Sequence, residues 1–337
     1  MQQPRIIYPF NGTERITVCG AGGFIGGHLV AALRQRGFAH LKAVDCKPTS
    51  EWCQCFSDLE NLVVNLQGKA ACYQALARTD VVFNLAADTG GVGFREHHRA
   101  LGMLSVLINT HLLMAARDLG VARYFYPSSA SAYHTEQPPQ AGVAALKGAD
   151  AYPSLAADGD GCEQLFSERM GRYFREDFRL WTRTARLHNV YGSYEVFEGR
   201  REKAPAAICR KVIEAKLSGR SEIEIWGDGE QTRSFLYIDD CLAGMEAILN
   251  SGMLEPINLG SSESVSINQL VDLVEGIAGI RLQRVYNRSA PTGVNQRKSD
   301  NTRLLQEFGW EPPTRLRDGL ELTYRWIYDQ VVGRYRR

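Results

Sequence analysis

The chain has 337 residues, 44% of them hydrophobic, and a formal net charge of +1 at pH 7. This length and apolar content suffice for two lobes around a full core, and the near-zero charge argues against nucleic-acid partners and against attraction to a membrane surface. The eight cysteines are scattered without metal-site spacing, and neither an apolar leader nor a membrane-spanning run is evident, so we expect a cytoplasmic protein without a metal.

A glycine-rich turn follows the first predicted strand. Residues 15–19 form an apolar run, residues 20–26 read Gly-Ala-Gly-Gly-Phe-Ile-Gly, and a helical stretch begins near His28. Such a turn lets the backbone approach a pyrophosphate, whose charge is stabilised at the helix N-terminus. Asp45 ends the next apolar run, at the spacing where a carboxylate binds the adenosine ribose. The pattern predicts an NAD site, because the acid disfavours the 2′-phosphate of NADP, although Lys47 nearby softens that preference.

Further strand-like runs alternate with helical ones. The strand-like runs are residues 81–85, 124–126 and 182–186, and a broad apolar face predicts a helix over residues 104–119 that ends at Gly120. This alternation predicts an α/β fold with a Rossmann-type doubly wound parallel sheet.

The pattern loosens after about residue 190, where glycine and proline become frequent. We therefore predict a Rossmann domain over residues 1–190, including an N-terminal tail over residues 1–13. A smaller, irregular lobe over residues 191–337 would complete a cleft, with some of its segments returning to the Rossmann domain.

Polar and glycine-rich segments follow two of the predicted strands. Residues 84–94 end the third strand run in a glycine-rich loop, and residues 126–133 place several serines after the next run. Ligands bind beyond the carboxyl ends of parallel strands, so both segments are candidates for contacts with a cofactor or substrate. Each segment alone is equally compatible with an ordinary turn or a capped loop.

The motifs together resemble the extended short-chain dehydrogenase/reductase superfamily, in particular its NAD-dependent nucleotide-sugar epimerases and dehydratases. The resemblance begins at the glycine turn and continues through residues 84–87, Ser128 and Ser129, and residues 186–192. Four further segments are similar to the GDP-mannose 3,5-epimerase family: residues 88–94, 199–207, 226–235 and 298–301. The likeness runs from about residue 14 to residue 330.

This resemblance implies an isomerase in which NAD transiently oxidises the hydroxyl at sugar carbon 4. The resulting ketone acidifies the protons at carbons 3 and 5, because a carbonyl stabilises the neighbouring carbanion as an enolate. A cysteine and a lysine of the family then move those protons, and the lysine falls on Lys203. The active-site serine of the family falls on Ser129.

The resemblance also implies the binding residues. The expected cofactor contacts are Gly20, Gly23, Phe24, Ile25, Asp45, Asn65, Leu66, Ala86, Ala87 and Gln164. The expected contacts with a nucleotide sugar, most readily a GDP-sugar, are Gly90, Gly91, Asn189, Lys211, Trp226, Gly227, Gln231, Arg233 and Arg297. Members of the superfamily commonly dimerise through two helices, so residues 104–119 and 163–178 are the candidates for a homodimer interface.

The catalytic set of the family is altered in this chain. The tyrosine and lysine of the YxxxK motif fall on Asp160 and Gln164, and the catalytic cysteine falls on Ser131. A carboxylate with an ordinary pKa of about 3.9 matches an alkoxide poorly compared with a phenol of pKa about 10. Glutamine carries no charge, and serine is a weaker base than a thiolate. A desolvated Asp160 is one candidate substitute; other candidates are Tyr133, His134, Tyr152 and Cys162.

Two binding positions also depart from the family pattern, since Asn65 replaces an acid and Asn295 replaces an arginine, leaving Arg297. Three functions therefore stay open. The first is an NAD-dependent epimerase, or a related redox enzyme, with a rebuilt catalytic set. The second is a non-redox isomerase or lyase that uses Lys203 with Asp160, and the third is an inactive nucleotide-sugar-binding subunit. We favour the first over the second, because a non-redox enzyme needs no nicotinamide.

Overall fold

The computed structural model describes residues 4, 6–87, 99–133, 159–199, 201–293 and 295–335, with the backbone alone at residues 99, 160 and 335. The strands, in chain order, are β1 (Ile16–Cys19), β2 (Leu41–Asp45), β3 (Glu60–Val63), β4 (Val81–Asn84), β5 (Arg123–Ser129), β6 (Trp181–Leu187), β7 (Val190–Tyr191), β8 (Glu222–Trp226), β9 (Thr232–Ser234), β10 (Leu236–Tyr237), β11 (Ile257–Leu259), β12 (Ser264–Ser266), β13 (Gln283–Asn287) and β14 (Gln296–Arg297). The helices are α1 (Phe24–Gln35), α2 (Lys69–Leu76), α3 (Arg99–Met103), α4 (Ser105–Asp118), α5 (Gly159–Phe178), α6 (Ala204–Ser218), α7 (Ile238–Leu249), α8 (Ile267–Ala278), α9 (Thr302–Phe308) and α10 (Leu316–Tyr335).

Seven of these strands form one parallel sheet, in the order β11-β6-β5-β4-β1-β2-β3. From β1 the chain moves outward to β2 and β3, and then crosses back to β4 on the other side of β1. The order therefore reverses at β1, and this reversal opens the crevice in which doubly wound sheets bind ligands. The prediction of a Rossmann-type doubly wound sheet is confirmed.

Side chains of the central strands alternate between two cores, one on each face of the sheet. Val18 and Phe83 pack into the core beneath α1 and α7, whereas Cys19 and Val82 pack into the core beneath α2 and α4. Successive side chains of a strand point to opposite faces. Because helices cover both faces, the central strands β1 and β4 are mostly apolar, which is why they were visible in the sequence.

The remaining strands form three small sheets, β10-β7, β12-β9-β14 and β13-β8. Helix α6 packs against α10 and α8 in this part of the molecule. Strand β11 belongs to the second half of the chain but pairs with β6 in the main sheet, and α7 packs on the same strands. The second half thus contributes the three small sheets with the helices that pack on them, called the smaller lobe below, and one edge strand of the large sheet.

One stretch differs from the expectation that no apolar run could span a membrane. Residues Ala100–Asp118, covering most of α3 and all of α4, are long and apolar enough to do so by length and composition. In the fold, α4 packs against α2 and α5, and Leu112 and Leu113 are fully buried. A core helix meets the same length criterion, so this stretch is explained by its place in the core.

Candidate active site

The turn between β1 and α1 has the close packing that its glycines suggested. Gly20 has a φ of +81°, and a Cβ there would lie 2.5 Å from the carbonyl oxygen of Leu85. A Cβ at Gly26 would lie 2.2 Å from the oxygen of Gly20. Helix α1 begins without a side-chain cap and without an acid in its first turn. Its N-terminal N–H groups and positive dipole are thus suited to a pyrophosphate.

Asp45 ends β2 beside this turn. Its carboxylate accepts hydrogen bonds from the backbone N–H groups of Gly22 and Lys47, each at 3.0 Å, and its residue is 7% exposed. The Lys47 ammonium donates to the carbonyl oxygen of Gly22 at 2.8 Å, so it is held by the turn itself. A fixed carboxylate at this place accepts ribose hydroxyls and repels a 2′-phosphate, and the residues therefore fit NAD.

The other expected cofactor contacts follow strands of the same sheet edge. Asn65 and Leu66 come after β3; the Asn65 side chain accepts the Gln67 N–H at 3.0 Å, and Leu66 is buried. Ala86 and Ala87 come after β4 and are partly or fully exposed. The carboxyl ends of β3 and β4 thus bring these positions to the same edge of the parallel sheet as the glycine turn after β1 and Asp45 at the end of β2.

Ser129 and Gln164 are joined directly. The Ser129 hydroxyl donates to Gln164 Oε1 at 2.7 Å, and the Ser129 backbone N–H donates to the same oxygen at 3.1 Å. The backbone N–H of Ser129 can only donate a hydrogen bond, so the end of the Gln164 amide that faces it must be the oxygen Oε1. A hydroxyl has one hydrogen, so Ser129 has none for a substrate oxygen while this bond persists.

The two remaining catalytic candidates lie around this pair. Asp160 stands four residues before Gln164 on α5, and positions four apart share a helix face; its side chain lies outside the described atoms. Ser131 is 7% exposed, and its N–H donates to the Ser129 oxygen at 3.0 Å. Gly90, Gly91, His134 and Tyr152 lie outside the described residues.

A buried ion pair supports α5 against the sheet. The guanidinium of Arg186, on β6, donates to both carboxylate oxygens of Glu168 at 2.8 and 2.7 Å, and both side chains are 1% exposed. Arg186 also donates to the hydroxyl of Tyr133 at 3.2 Å, and that hydroxyl donates to Asn258. Burial raises the pKa of Tyr133. Tyr133 is thus a poor candidate for the missing tyrosine base, because it is inaccessible and fully bonded.

Lys203 immediately precedes α6, at the helix N-cap. Its ammonium donates to the carbonyl oxygen of Val190 at 3.3 Å and lies 3.5 Å from Oε1 of Glu195. The Lys203 side chain is 40% exposed, whereas that of Glu195 is 6% exposed. Since Val190 begins the strand that follows β6, Lys203 lies close to the carboxyl end of the main sheet.

Two arginines of the smaller lobe are direct neighbours. Arg233 on β9 and Arg297 on β14 are paired in register on adjacent parallel strands. The Arg233 guanidinium donates to the carbonyl oxygens of Thr232 and Thr292, at 2.7 and 3.1 Å. Burial lowers the pKa of His188 to about 3, and the charge of Arg297 contributes to that shift, so Arg297 is close to the end of β6. Two neighbouring guanidinium groups suit a diphosphate.

The other expected substrate contacts surround β8 and β9. The Asn189 amide donates to the Ser234 carbonyl at 2.9 Å, which ties the end of β6 to β9. Lys211 donates to the Glu224 carbonyl at 2.9 Å. Trp226 is 42% exposed, and the Gln231 amide donates to its carbonyl oxygen at 2.9 Å across the tight turn at Gly227. This region could contact the nucleotide base.

Comparison with known proteins identifies the family of this chain. A sequence profile described as the NAD dependent epimerase/dehydratase family matches residues 16–260. The chain belongs to this family. The expectation of a short-chain dehydrogenase/reductase-type protein is confirmed, and so is the expectation of NAD as the cofactor, because members of the family are NAD-dependent.

Relatives within the family include GDP-mannose 3,5-epimerases. GDP-mannose 3,5-epimerase 1 of Oryza sativa subsp. indica is 38% identical over 318 residues, covering 94% of this chain and 82% of the relative. GDP-mannose 3,5-epimerase of Arabidopsis thaliana is 36% identical, with coverages of 94% and 83%. Among solved structures, UDP-glucose 4-epimerase of Thermotoga maritima aligns with a TM-score of 0.82 at 23% identity, covering 94% of this chain and 99% of that one. This last likeness shows the fold.

Three site features of this family member were not anticipated. They are the bond between Ser129 and Gln164, the buried pair of Arg186 and Glu168, and the burial of Glu195 beside Lys203. In sequence, an acid in a glycine-rich loop is expected to be solvated, and nothing local marks Glu195 as an exception. In the described part of the chain, no group of three or more histidine, cysteine, aspartate or glutamate side chains could hold a metal ion.

Proposed function

We propose that this chain is an NAD-dependent epimerase acting on a GDP-type nucleotide sugar, in which Lys203 moves the proton of a carbon next to a transient ketone. The main support is the position of Lys203: its ammonium is bound to the Val190 carbonyl, close to the end of β6, yet its side chain remains 40% exposed. It can therefore reach a ligand in the crevice. The similarity to GDP-mannose 3,5-epimerases extends over 94% of the chain and favours the same class of substrate.

Cofactor binding, substrate binding and proton transfer are assigned to different residues. The turn at Gly20 and the start of α1 would hold the pyrophosphate of NAD, and Asp45 would hold the adenosine ribose. When bound, NAD would supply a hydride acceptor for the oxidation of a sugar hydroxyl. Arg233 and Arg297 bind the diphosphate of the sugar nucleotide, and Lys203 takes and returns a proton beside the ketone.

The proton of the oxidised hydroxyl needs a separate acceptor. Asp160 is our candidate, because it holds the tyrosine position of the YxxxK pattern, four residues before Gln164 on α5. An aspartate is a weak acceptor for such a proton, so we expect the natural chain to be a slow enzyme. Loss of turnover in Asp160→Ala would support this role, and full turnover would exclude it.

Incubation in heavy water tests the proposed reaction. The purified chain is supplied with NAD and, in parallel, with GDP- and UDP-sugars, and the sugars are analysed by mass spectrometry. Enzyme-dependent deuterium at carbon 3 or 5 of a GDP-sugar supports the proposal. Absence of deuterium from every sugar, despite calorimetric binding of NAD and a GDP-sugar, contradicts it.

A second function is favoured by one contact. The Ser129 hydroxyl donates to Gln164 Oε1 at 2.7 Å and is therefore not offered to a substrate. Under this alternative, the chain binds NAD and a nucleotide sugar without turnover and serves as a regulatory or scaffolding subunit. Binding of both ligands together with complete absence of deuterium incorporation is the result that would select it.

Removing the charge of Asp45 should weaken the preference for NAD. In Asp45→Asn the ribose hydroxyls lose their carboxylate acceptor, and a hydrogen bond to a charged group contributes about 1.5–3 kcal/mol. We expect the NAD dissociation constant to rise roughly tenfold to a hundredfold, and the ratio of NAD to NADP affinity to fall. Titration calorimetry with both cofactors measures this, with Asp58→Asn as an exposed control. Unchanged NAD affinity in Asp45→Asn would refute the ribose contact.

We also propose that the chain forms a homodimer through α4 and α5. These helices pack side by side and carry exposed apolar side chains, including Leu107 at 38%, Phe166 at 50% and Tyr173 at 52%. Large apolar side chains exposed on two adjacent helices are typical of a protein interface. A second copy presenting the same helices would cover them.

Charges on this surface should separate the subunits. We expect Phe166→Glu combined with Tyr173→Glu to be monomeric, because two acids per subunit would be buried without partners. Analytical ultracentrifugation measures the mass of the particle. Leu305→Glu serves as the control, because Leu305 lies on α9 and is 51% exposed. A dimeric double variant, or a monomeric natural chain at micromolar concentration, would contradict the proposal.

A further inference from the structure

Glu195 is a buried acid with few interactions. It lies in the loop between β7 and α6, and its side chain is 6% exposed. Both carboxylate oxygens are shielded from solvent and, among the described residues, make no hydrogen bond of ordinary geometry; the Gly192 backbone and the Lys203 ammonium interact with the carboxylate only weakly and favour its ionised form. Its Oε1 lies 3.5 Å from the ammonium of Lys203. Burying a carboxylate in this way is unfavourable, so a site that retains it calls for an explanation.

Aromatic side chains surround Glu195. Tyr194, Phe197 and Trp326 line a cavity together with Glu195, and the Trp326 ring centroid lies 5.1 Å from that of Tyr194 and 5.5 Å from that of Phe197. The Lys203 ammonium, by contrast, belongs to a side chain that is 40% exposed. The pair therefore has one buried member and one partly exposed member.

Two other titratable groups interact electrostatically with the pair. The thiol of Cys209, on α6, interacts with Glu195, and the thiol of Cys241, on α7, interacts with Lys203. Burial raises the pKa of both thiols, so both stay neutral near pH 7. Burial also raises the pKa of Glu195 to about 7, against the opposing effect of Lys203. Glu195 can therefore gain or lose a proton under ordinary conditions.

We propose that Glu195 is a positioning residue that holds the Lys203 ammonium and exchanges protons with it. In the donating direction, Lys203 Nζ gives a proton to the carbanion carbon of the substrate and becomes a neutral amine. The carboxylic acid of Glu195 then passes its proton to that amine, which leaves a carboxylate and a restored ammonium. In the accepting direction, each transfer runs in reverse. This role rests on the proposed function of Lys203 as the proton-moving group.

Chemical labelling of Lys203 tests the pair without requiring turnover. Trinitrobenzenesulfonate reacts with the neutral amine only, and peptide mass spectrometry measures the labelling rate at each lysine between pH 6 and pH 9. In Glu195→Gln the ammonium loses its negative partner, so we expect Lys203 labelling above pH 7 to rise about tenfold. Glu198 is an exposed acid three residues from Glu195, and it pairs with Arg334. Glu198→Gln should therefore leave the rate of Lys203 labelling unchanged.

The natural chain provides a second measurement in case the variant does not fold. As pH rises through about 7, Glu195 ionises and stabilises the ammonium, so Lys203 labelling should increase less steeply than that of the exposed Lys69. Equal slopes for the two lysines, or equal Lys203 rates in the natural chain and in Glu195→Gln, would overturn the proposal.

Deuterium incorporation tests the exchange of protons separately. Incorporation begins when Lys203 removes the carbon-bound proton, and for this the carboxylate form of Glu195 must first take the ammonium proton, so incorporation by the natural chain should rise as pH increases to about 7 and level off above that value. Glu195→Gln should lack this plateau, and Glu198→Gln should retain it. A plateau that persists in Glu195→Gln would refute the exchange role. If no sugar incorporates deuterium, the proposed function fails, and the labelling rates still decide whether the pair exists.

Discussion

Introducing Asp160→Tyr and Gln164→Lys together should speed deuterium incorporation into the sugar by roughly a hundredfold to ten-thousandfold over the natural chain. The tyrosine supplies a phenol whose pKa suits the oxidised hydroxyl, and the lysine supplies a positive charge that favours the phenolate. The change at Gln164 also removes the acceptor that now holds the Ser129 hydroxyl at 2.7 Å. Mass spectrometry of GDP-sugars in heavy water measures the rate.

The single variant Gln164→Lys separates these effects. It releases the Ser129 hydroxyl but keeps Asp160, so we expect a smaller gain in the rate of deuterium incorporation. Gln74→Lys, an exposed glutamine on α2, controls for the added charge. A double variant that binds NAD and a GDP-sugar yet is no faster than the natural chain would mean that other groups limit the reaction. If the natural chain incorporates no measurable deuterium and the double variant does, the result would favour the binding-subunit function for the natural chain.

The second large effect is expected at Lys203. Lys203→Ala should reduce deuterium incorporation roughly a hundredfold to ten-thousandfold, because it removes the group that moves the carbon-bound proton. NAD affinity should change little, since the glycine turn and Asp45 follow β1 and β2, which are separated from β6 by β5 and β4. Rate measurements and calorimetry on the same preparation distinguish the two quantities.

Two lysines on helix α6, which follows Lys203, serve as comparisons in this experiment. Lys216→Ala removes a lysine that donates to the Ala278 carbonyl, and it should leave incorporation unchanged. Lys211→Ala should raise the KM for the GDP-sugar more than it lowers kcat, because we assign Lys211 to nucleotide binding. Incorporation by Lys203→Ala at the natural rate would exclude proton transfer by Lys203.

Local sequence patterns predicted the first half of the fold well. The apolar runs at β1 and β4 were recognisable because a parallel sheet covered on both faces requires apolar side chains throughout. The glycine turn was recognisable because Gly20 and Gly26 leave no room for a Cβ. The smaller lobe was harder, since β7, β10 and β14 are two residues long and carry no periodicity.

The site was predictable where its residues are close in the sequence or match a known motif. Asp45 is found by its spacing from the glycine turn. The contact between Ser129 and Gln164 depends on how α5 lies against β5, across 35 residues. The pairing of Arg233 with Arg297 depends on a register set by the small sheet. Such relations arise from packing over long separations, and no local pattern encodes them.

Strand β11 has a consequence for protein engineering. Because this strand comes from the second half of the chain and completes the large sheet beside β6, a cut near residue 190 would leave the N–H and C=O groups of β6 exposed along one edge. Such an edge recruits other chains and promotes aggregation. A chimera that exchanges the smaller lobe between relatives should therefore keep β11 and α7 with the recipient's own sheet, and should transfer only the three small sheets and the helices that pack on them.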